Sequence, residues 1–386
     1  MNIKKTQFSS YYLNGVAKGC KFCVKGRKLV LFITGICRRN CWYCSLSEKR
    51  KNKDALWVNE RKCKSVKEMI EEAKESNAHG AGITGGDPLL KLRRTLKFAS
   101  ALKKKFKHFH IHIYLPTKFI TKEKLRKLRK VADEVRFHPE FLARKLNKKQ
   151  LEEDSDKIKI ASKFWKKEDI GIELPILPYK KKEIFNFILK IKNYIGFVNL
   201  NELEISDTNF NYITKNYKLK KGGYVIAGSK EAGLWILKKL KKEKPKIKLK
   251  VHLCTAETKN WFQYKNRLLC HNILPYGEKT SEGTAVYFAI YGKNKIKKSL
   301  SLPHLKRCGL CGTSGCSEIK TPNLHPLTKV SGLISDIKNK LAFTDKRKNR
   351  IIISEKLVPK LIKKYKIYKV EEYPTYDRVE IEKEEI

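Results

Sequence analysis

The chain has 386 residues, 41% of them hydrophobic, enough for one large domain with appendages. It shows no apolar run near the ~20 residues of a membrane helix and no secretory pattern at its start, so a cytoplasmic protein is expected. In that setting its eleven cysteines read as metal ligands rather than disulfides. Lys and Arg number 87 against 39 Asp and Glu, a net charge of +48. Ion-pair networks raise both signs together and do not explain this imbalance, so a polyanionic partner is expected, in particular RNA.

Residues 1–27 form a basic lead-in ending in Gly19-Cys20-Lys21-Phe22-Cys23, a CxxC that looks like half of a metal knuckle. Residues 29–36 are a short, apolar, β-branched run, read as a buried strand over 28–33 that opens into Cys37-Arg38-Arg39-Asn40-Cys41-Trp42-Tyr43-Cys44. Three thiolates at CxxxCxxC spacing suit an iron–sulfur cluster with one open iron, whereas a closed zinc site needs four ligands. A helix over 65–76 leads to strand 81–84 and to Gly85-Gly86-Asp87-Pro88. Two glycines there permit close backbone approach to a ligand, and the acid offers an acceptor for an ammonium group.

Strand-then-helix alternation continues. Strands are predicted at 109–115, 134–137, 157–161, 170–177 and 198–205, and helices at 89–106, 121–131 and 181–195. Such alternation argues for a parallel sheet with helices outside. Asn199, Asn201, Glu202 and Glu204 on the last of these strands are candidates to face a cavity. Residues 211–300 read as a basic α/β extension, with strands at 224–226, 247–253 and 283–291 and helices at 229–240 and 257–270. In the last helix Trp261, Phe262, Tyr264, Lys265 and Arg267 interleave aromatic and basic side chains. Cys254 is either a substrate-facing thiol or a core cysteine.

Residues 301–386 carry a second cysteine knuckle and a small α/β tail that ends in acidic residues. Cys308 and Cys311, with Cys20 and Cys23, would close a four-thiolate zinc site. With Cys316 joining, an auxiliary iron–sulfur cluster is the alternative.

The CxxxCxxC loop followed by Gly85-Gly86-Asp87-Pro88 resembles the signature of the radical S-adenosylmethionine (radical SAM) superfamily over residues 28–210. The resemblance implies a partial (β/α)6 TIM-like barrel with its chemistry at the strand C-terminal ends. It implies that Cys37, Cys41 and Cys44 ligate a 4Fe–4S cluster whose fourth iron takes SAM. Tyr43 would lie beside the adenine, and Gly85, Gly86 and Asp87 would hold the methionine amine; Asp87 departs from the usual Glu by one methylene. Thr117 and His138 stand where such proteins contact the ribose or the substrate. The cluster would cleave SAM to methionine and a 5′-deoxyadenosyl radical, with ferredoxin or flavodoxin as electron donor. Charge then points to transfer RNA as substrate. The layout also resembles archaeal proteins related to pyruvate formate-lyase-activating enzymes, so a protein or peptide substrate is the second reading. A zinc-bearing RNA-binding module without catalysis is the third.

Overall fold

The computed structural model describes residues 2–143, 147–221, 223–243, 248–292 and 341–386. They divide into two compact units, Met1–Asn266 and Arg267–Ile386. Cys308, Cys311 and Cys316 lie outside the described residues, and with them the expected second half of the four-thiolate site.

The first unit is built on β1 (Lys4–Lys5), β2 (Tyr11–Leu13), α1 (Lys18–Val24), β3 (Lys28–Phe32), β4 (Leu56–Val58), β5 (Arg61–Cys63), α2 (Val66–Glu75), β6 (Gly80–Thr84), α3 (Leu92–Lys105), β7 (His110–Pro116) and α4 (Lys122–Arg129). It continues through β8 (Glu134–His138), α5 (Lys148–Ala161), β9 (Ile170–Ile176), α6 (Lys181–Ile191), β10 (Phe197–Glu202), α7 (Phe210–Asn216), α8 (Ser229–Lys242) and β11 (Lys250–Cys254). The sheet order is β1-β2-β11-β10-β9-β8-β7-β6-β3-β4-β5. From β3 to β11 its neighbours pair in parallel. The expected TIM-like partial barrel is therefore present, with six parallel strands inside 28–210 and β11 as a seventh.

Period-two alternation gives each strand two faces. Ile111, Ile113, Leu115, Val135, Phe137, Ile172, Leu174, Val198, Leu200, Val251 and Leu253 belong to the apolar core shared with the helices. Truncating one of them, such as Ile113→Ala, costs about 2–5 kcal/mol. The helices start where local chemistry allows. Ser65 and Glu68 form a reciprocal capping box at α2, and the Thr121 side chain accepts from Lys124 N–H at α4.

Three sequence expectations need correction. Residues 157–161 are not a strand but the end of α5, whose buried Asp154, Ile158 and Ala161 recur at helical spacing. The Ile158/Ile160 alternation over five residues has the period of a strand, and the helical spacing emerges only when Asp154 and Ala161 are included. The unit boundaries expected after residues 27 and 210 both fall inside one unit. β2 pairs with β11 and β11 with β10, so the lead-in and the start of the extension complete the barrel sheet. Finally, Cys20 and Cys23 lie on a helix, α1, rather than in a loop knuckle. Lesser differences are that 224–226 forms only isolated bridges, and 257–270 splits into a π-helical turn, Thr258–Gln263, and a helix, Tyr264–Cys270.

The second unit is an antiparallel sheet of β12 (Glu278–Lys279), β13 (Ala285–Tyr291), β14 (Ala342–Asp345), β15 (Arg350–Ile353), β16 (Tyr368–Glu372) and β17 (Glu380–Glu385). Its order is β14-β15-β13-β16-β17, with β12 on β13. The acidic end of the chain is ordered as β17 because it pairs with β16, while Lys383 covers the Tyr291 and Tyr368 rings.

Candidate active site

The cysteine loop leaves β3 and is zipped at once onto the turn after β6. Ile33 N–H donates to the Thr84 carbonyl at 3.0 Å, Gly86 N–H to that of Thr34 at 2.7 Å and Asp87 N–H to that of Ile36 at 2.9 Å. This contact explains the glycine pair. Gly85 has φ +140°, and a Cβ there would lie 2.4 Å from the Thr34 oxygen; at Gly86 it would lie 2.3 Å from the Ile36 oxygen. The two motifs thus form one backbone unit. Asp87 is buried and accepts from Leu89 N–H at 2.9 Å, capping the 3-10 turn Pro88–Lys91. Burial pushes its carboxyl up to about 6, and its charge in turn helps raise the Cys37 thiol.

The rest of the loop is pinned from β8 and from the segment after β10. Arg39 donates to the carbonyls of His138 at 2.6 Å and Pro139 at 2.9 Å. Thr208 donates to the carbonyls of Cys44 at 3.0 Å and Leu46 at 2.5 Å, and Asn209 to that of Tyr43 at 3.4 Å. Tyr43 is buried with its hydroxyl 2.9 Å from His138 Nε2, and His138 Nδ1 lies 3.0 Å from the Glu173 carbonyl oxygen. That oxygen can only accept, so Nδ1 carries the proton and Nε2 accepts from Tyr43. Burial, with the Arg39 charge, lowers the His138 imidazole to about 3, so the ring is neutral at physiological pH. His138 therefore acts as a latch on the aromatic residue of the cysteine loop.

Cys37, Cys41 and Cys44 are half-buried on this loop, and none is in a disulfide. Burial raises the thiols of Cys37 and Cys41. Among the described residues no three His, Cys, Asp or Glu side chains converge on one metal position, so the thiols share a pinned loop without closing on a point. The donor set is three soft thiolates with no fourth protein ligand among them, and it fits a 4Fe–4S cluster that leaves one iron for an outside ligand.

Thr117 is buried, and its hydroxyl donates to Asp154 at 2.5 Å; Asp154 also accepts from the Glu140 and Phe141 N–H groups. Its one hydroxyl proton is thus engaged inside the protein. Cys254 is buried with the Gln263 amide 3.5 Å away, and burial raises its thiol. Cys20 is 3.5 Å from both Asn199 Oδ1 and Arg136 Nη2, and burial pushes its thiol up to about 12.

Below the latch, the inward residues form a charged network. Arg136 donates to Glu134 at 2.6 Å and to Glu173 at 2.8 Å, and Asn199 and Asn201 donate to Glu173 at 3.0 and 2.9 Å. The α1 helix presses onto it: Gly19 N–H donates to Glu134 at 3.0 Å, and a Cβ on Gly19 would lie 2.4 Å from His112. Asn199 and Asn201 face this interior as expected. Glu202 accepts from Ala256 N–H at 2.9 Å, and Glu204 pairs with Lys259. Arg39, Arg136 and Glu173 were not singled out from sequence. The alternation of Glu134, Arg136 and His138 along one strand was the available signal.

The family model of the Radical SAM superfamily matches residues 31–188. A protein of Methanocaldococcus jannaschii, provisionally named a glycyl-radical enzyme activating enzyme, is 39% identical over 291 residues, covering 73% of this chain and 76% of that protein. Solved structures are more distant. Coproporphyrinogen III oxidase from Escherichia coli, a radical SAM enzyme, has a TM-score of 0.36 and 13% identity, over 60% of this chain and 57% of that one. The structure of anSMEcpe with bound AdoMet and the Kp18Cys peptide has a TM-score of 0.39 and 13% identity, over 56% and 59%. The chain spans less than two thirds of either solved structure, and likeness at that level adds no argument. Identity of 39% across three quarters of a relative does, and with the family model on the barrel it leads to one conclusion: this chain belongs to the radical SAM superfamily.

Proposed function

We propose that this radical SAM enzyme modifies a protein or peptide, as an activase that generates a radical on a partner polypeptide. The observation that carries the reading is the relative provisionally named a glycyl-radical enzyme activating enzyme, at 39% identity. The barrel interior supports it. Below the level of Glu173 the concave face is filled by α1 and by the Arg136 network. A substrate would accordingly engage the strand C-terminal ends rather than sink into the barrel, which suits an extended polypeptide segment.

The enzyme works with a 4Fe–4S cluster and S-adenosylmethionine, which together supply, when bound, the reductive cleavage of SAM to methionine and a 5′-deoxyadenosyl radical. Cys37, Cys41 and Cys44 would hold the cluster. Gly85 and Gly86 let the cysteine loop lie flat on the turn that offers Asp87. Tyr43, locked by His138, and Arg39, locked on β8, keep that loop in one arrangement, so little reorganisation is left for the reacting geometry.

The test is to incubate the reconstituted protein with SAM, dithionite and a purified glycyl-radical enzyme and to record the EPR spectrum. A glycyl-radical doublet on the partner is the expected result. No protein radical, despite 5′-deoxyadenosine release, would overturn the activase reading. A second reading, RNA as substrate, rests on the net charge of +48 and has no support from the comparisons. Loss of one modified transfer-RNA nucleoside in a deletion strain would favour it.

A further inference from the structure

His252 and Cys254 lie on β11, the strand that the barrel sheet gains beyond its first six parallel ones. Val251 and Leu253 belong to the apolar core, so alternation turns His252 and Cys254 toward the barrel interior. The register sets His252 beside Asn199 of β10, and Asn199 beside Glu173 of β9. Glu173 in turn holds His138 of β8 through its carbonyl, and His138 holds Tyr43. One row of residues thus crosses the sheet from the latch on the cysteine loop to His252, at the level where the filling by α1 and Arg136 ends.

His252 is the member of this row that the protein leaves unsatisfied. It is only 6% exposed, its Nδ1 is sealed from solvent with no partner, and no hydrogen bond engages its Nε2 among the described residues. A buried polar ring in that condition destabilises the fold, which an apolar side chain of similar size would not do. Burial lowers the imidazole to about 4, against a smaller opposing effect of the Glu173 charge, so the ring is neutral at physiological pH. A sealed N–H is rarer and costlier than a sealed lone pair, so the proton sits on Nε2. Nε2–H is therefore an open donor.

The groups around it are uncharged or already neutralised. Glu173 accepts from Arg136, Asn199 and Asn201. Asn201, the register neighbour of Cys254, donates to Glu173 while no hydrogen bond engages its Oδ1 among the described residues. Burial keeps the Cys254 thiol protonated. An open donor beside an open acceptor, without net charge, matches the C=O and N–H of a peptide unit rather than a phosphate or a carboxylate.

We infer that His252 is a substrate-holding residue: its Nε2–H donates to a main-chain carbonyl of the polypeptide segment at the strand ends, beside the carbon that loses hydrogen. The inference rests on the protein-substrate reading and deepens it. In the reaction the substrate C–H bond breaks, the hydrogen atom passes to the 5′ carbon of the deoxyadenosyl radical, and the unpaired electron stays on the substrate carbon. His252 exchanges neither proton nor electron; it fixes the carbonyl next to that carbon.

The test uses the reconstituted enzyme with SAM, dithionite and a purified glycyl-radical enzyme, reading initial rates of radical formation by EPR across partner concentrations. His252→Leu removes the donor at similar volume, and His252→Gln returns an N–H close to the place of Nε2. Expected for His252→Leu is a KM for the partner raised roughly tenfold, the upper range for one hydrogen bond. Its urea midpoint of unfolding should be unchanged or higher, and His252→Gln should recover most of the lost affinity. A wild-type KM in His252→Leu, a lowered midpoint, or a glutamine variant no better than the leucine one would each overturn the inference. So would a His252→Leu protein that binds transfer RNA more weakly and keeps its KM for the partner. Failure of the protein-substrate reading looks different: wild-type enzyme then releases 5′-deoxyadenosine but raises no radical on the partner at any concentration, which removes this inference as well.

Discussion

Each unit buries one arginine among carboxylates, and the contrast between the two clusters separates architecture from site. In the second unit Arg350 is fully buried, donating to Asp345 at 2.9 Å and to both oxygens of Glu372 at 2.8 and 2.9 Å, over the Tyr287 ring. Glu372 is also fully buried, while Glu380, 3.7 Å from Arg350, keeps 31% side-chain exposure. In the barrel, Arg136 sits over Tyr114 and Phe197 and is as well paired, and its partner Glu173 likewise keeps some exposure, 17% of its side chain. Through its carbonyl Glu173 also holds His138, which holds Tyr43 on the cysteine loop. A buried ion cluster alone therefore marks no functional site. What marks one is a hydrogen-bonded connection to a loop that carries chemistry.

The comparison can be broken first at the arginines. Arg136→Ala and Arg350→Ala each leave buried carboxylates unpaired and should cost about 3–5 kcal/mol of stability in their own unit by denaturant unfolding. Only Arg136→Ala should also lose SAM cleavage in the fraction that remains folded. Equal losses from both would erase the distinction. Next, Gly86→Ala forces a methyl against the Ile36 oxygen and shifts the cysteine loop. SAM cleavage should fall on the order of 10²-fold, while unfolding of the second unit is unchanged. A smaller effect follows from His138→Gln, which can satisfy Tyr43 or the Glu173 carbonyl but not both. SAM should bind roughly tenfold more weakly by equilibrium dialysis, with cluster content unaltered. Wild-type affinity would remove the latch.

The smallest effect is one of pH. Burial lowers the Lys28 ammonium to about 7, and its Nζ lies 3.0 Å from His110 Nδ1. Between about 7 and the ordinary lysine value near 10.4 the unfolded chain binds more protons at this group than the folded one. Lys28 therefore makes the first unit gain stability as pH rises through that window. Lys28→Met should flatten the slope in urea titrations at pH 7 and 9, and an unchanged slope would contradict the assignment.

Much of the site was legible because it is local. CxxxCxxC and Gly-Gly-Asp-Pro each carry their chemistry within a few residues, and both lie where the sequence placed them, at the ends of β3 and β6. What escaped depends on distance in the chain. Arg39 is unremarkable until β8 supplies the carbonyls of His138 and Pro139. Thr117 reads as a free hydroxyl until Asp154 arrives from α5. The CxxC of α1 looks like a knuckle because spacing cannot tell a helical turn from a metal loop. β11 was assigned to a separate unit because 47 residues, 203–249, separate it from β10, although Val251 and Leu253 complete the same core.

The most direct test of the account is product analysis of the reconstituted protein with SAM and dithionite, beside Cys41→Ser. The account predicts a brown wild-type protein that releases 5′-deoxyadenosine and methionine, and a Cys41→Ser protein that folds, fails to hold the cluster and releases neither. A wild-type protein with a verified 4Fe–4S cluster and no 5′-deoxyadenosine, or a Cys41→Ser protein that cleaves SAM at the wild-type rate, would contradict it.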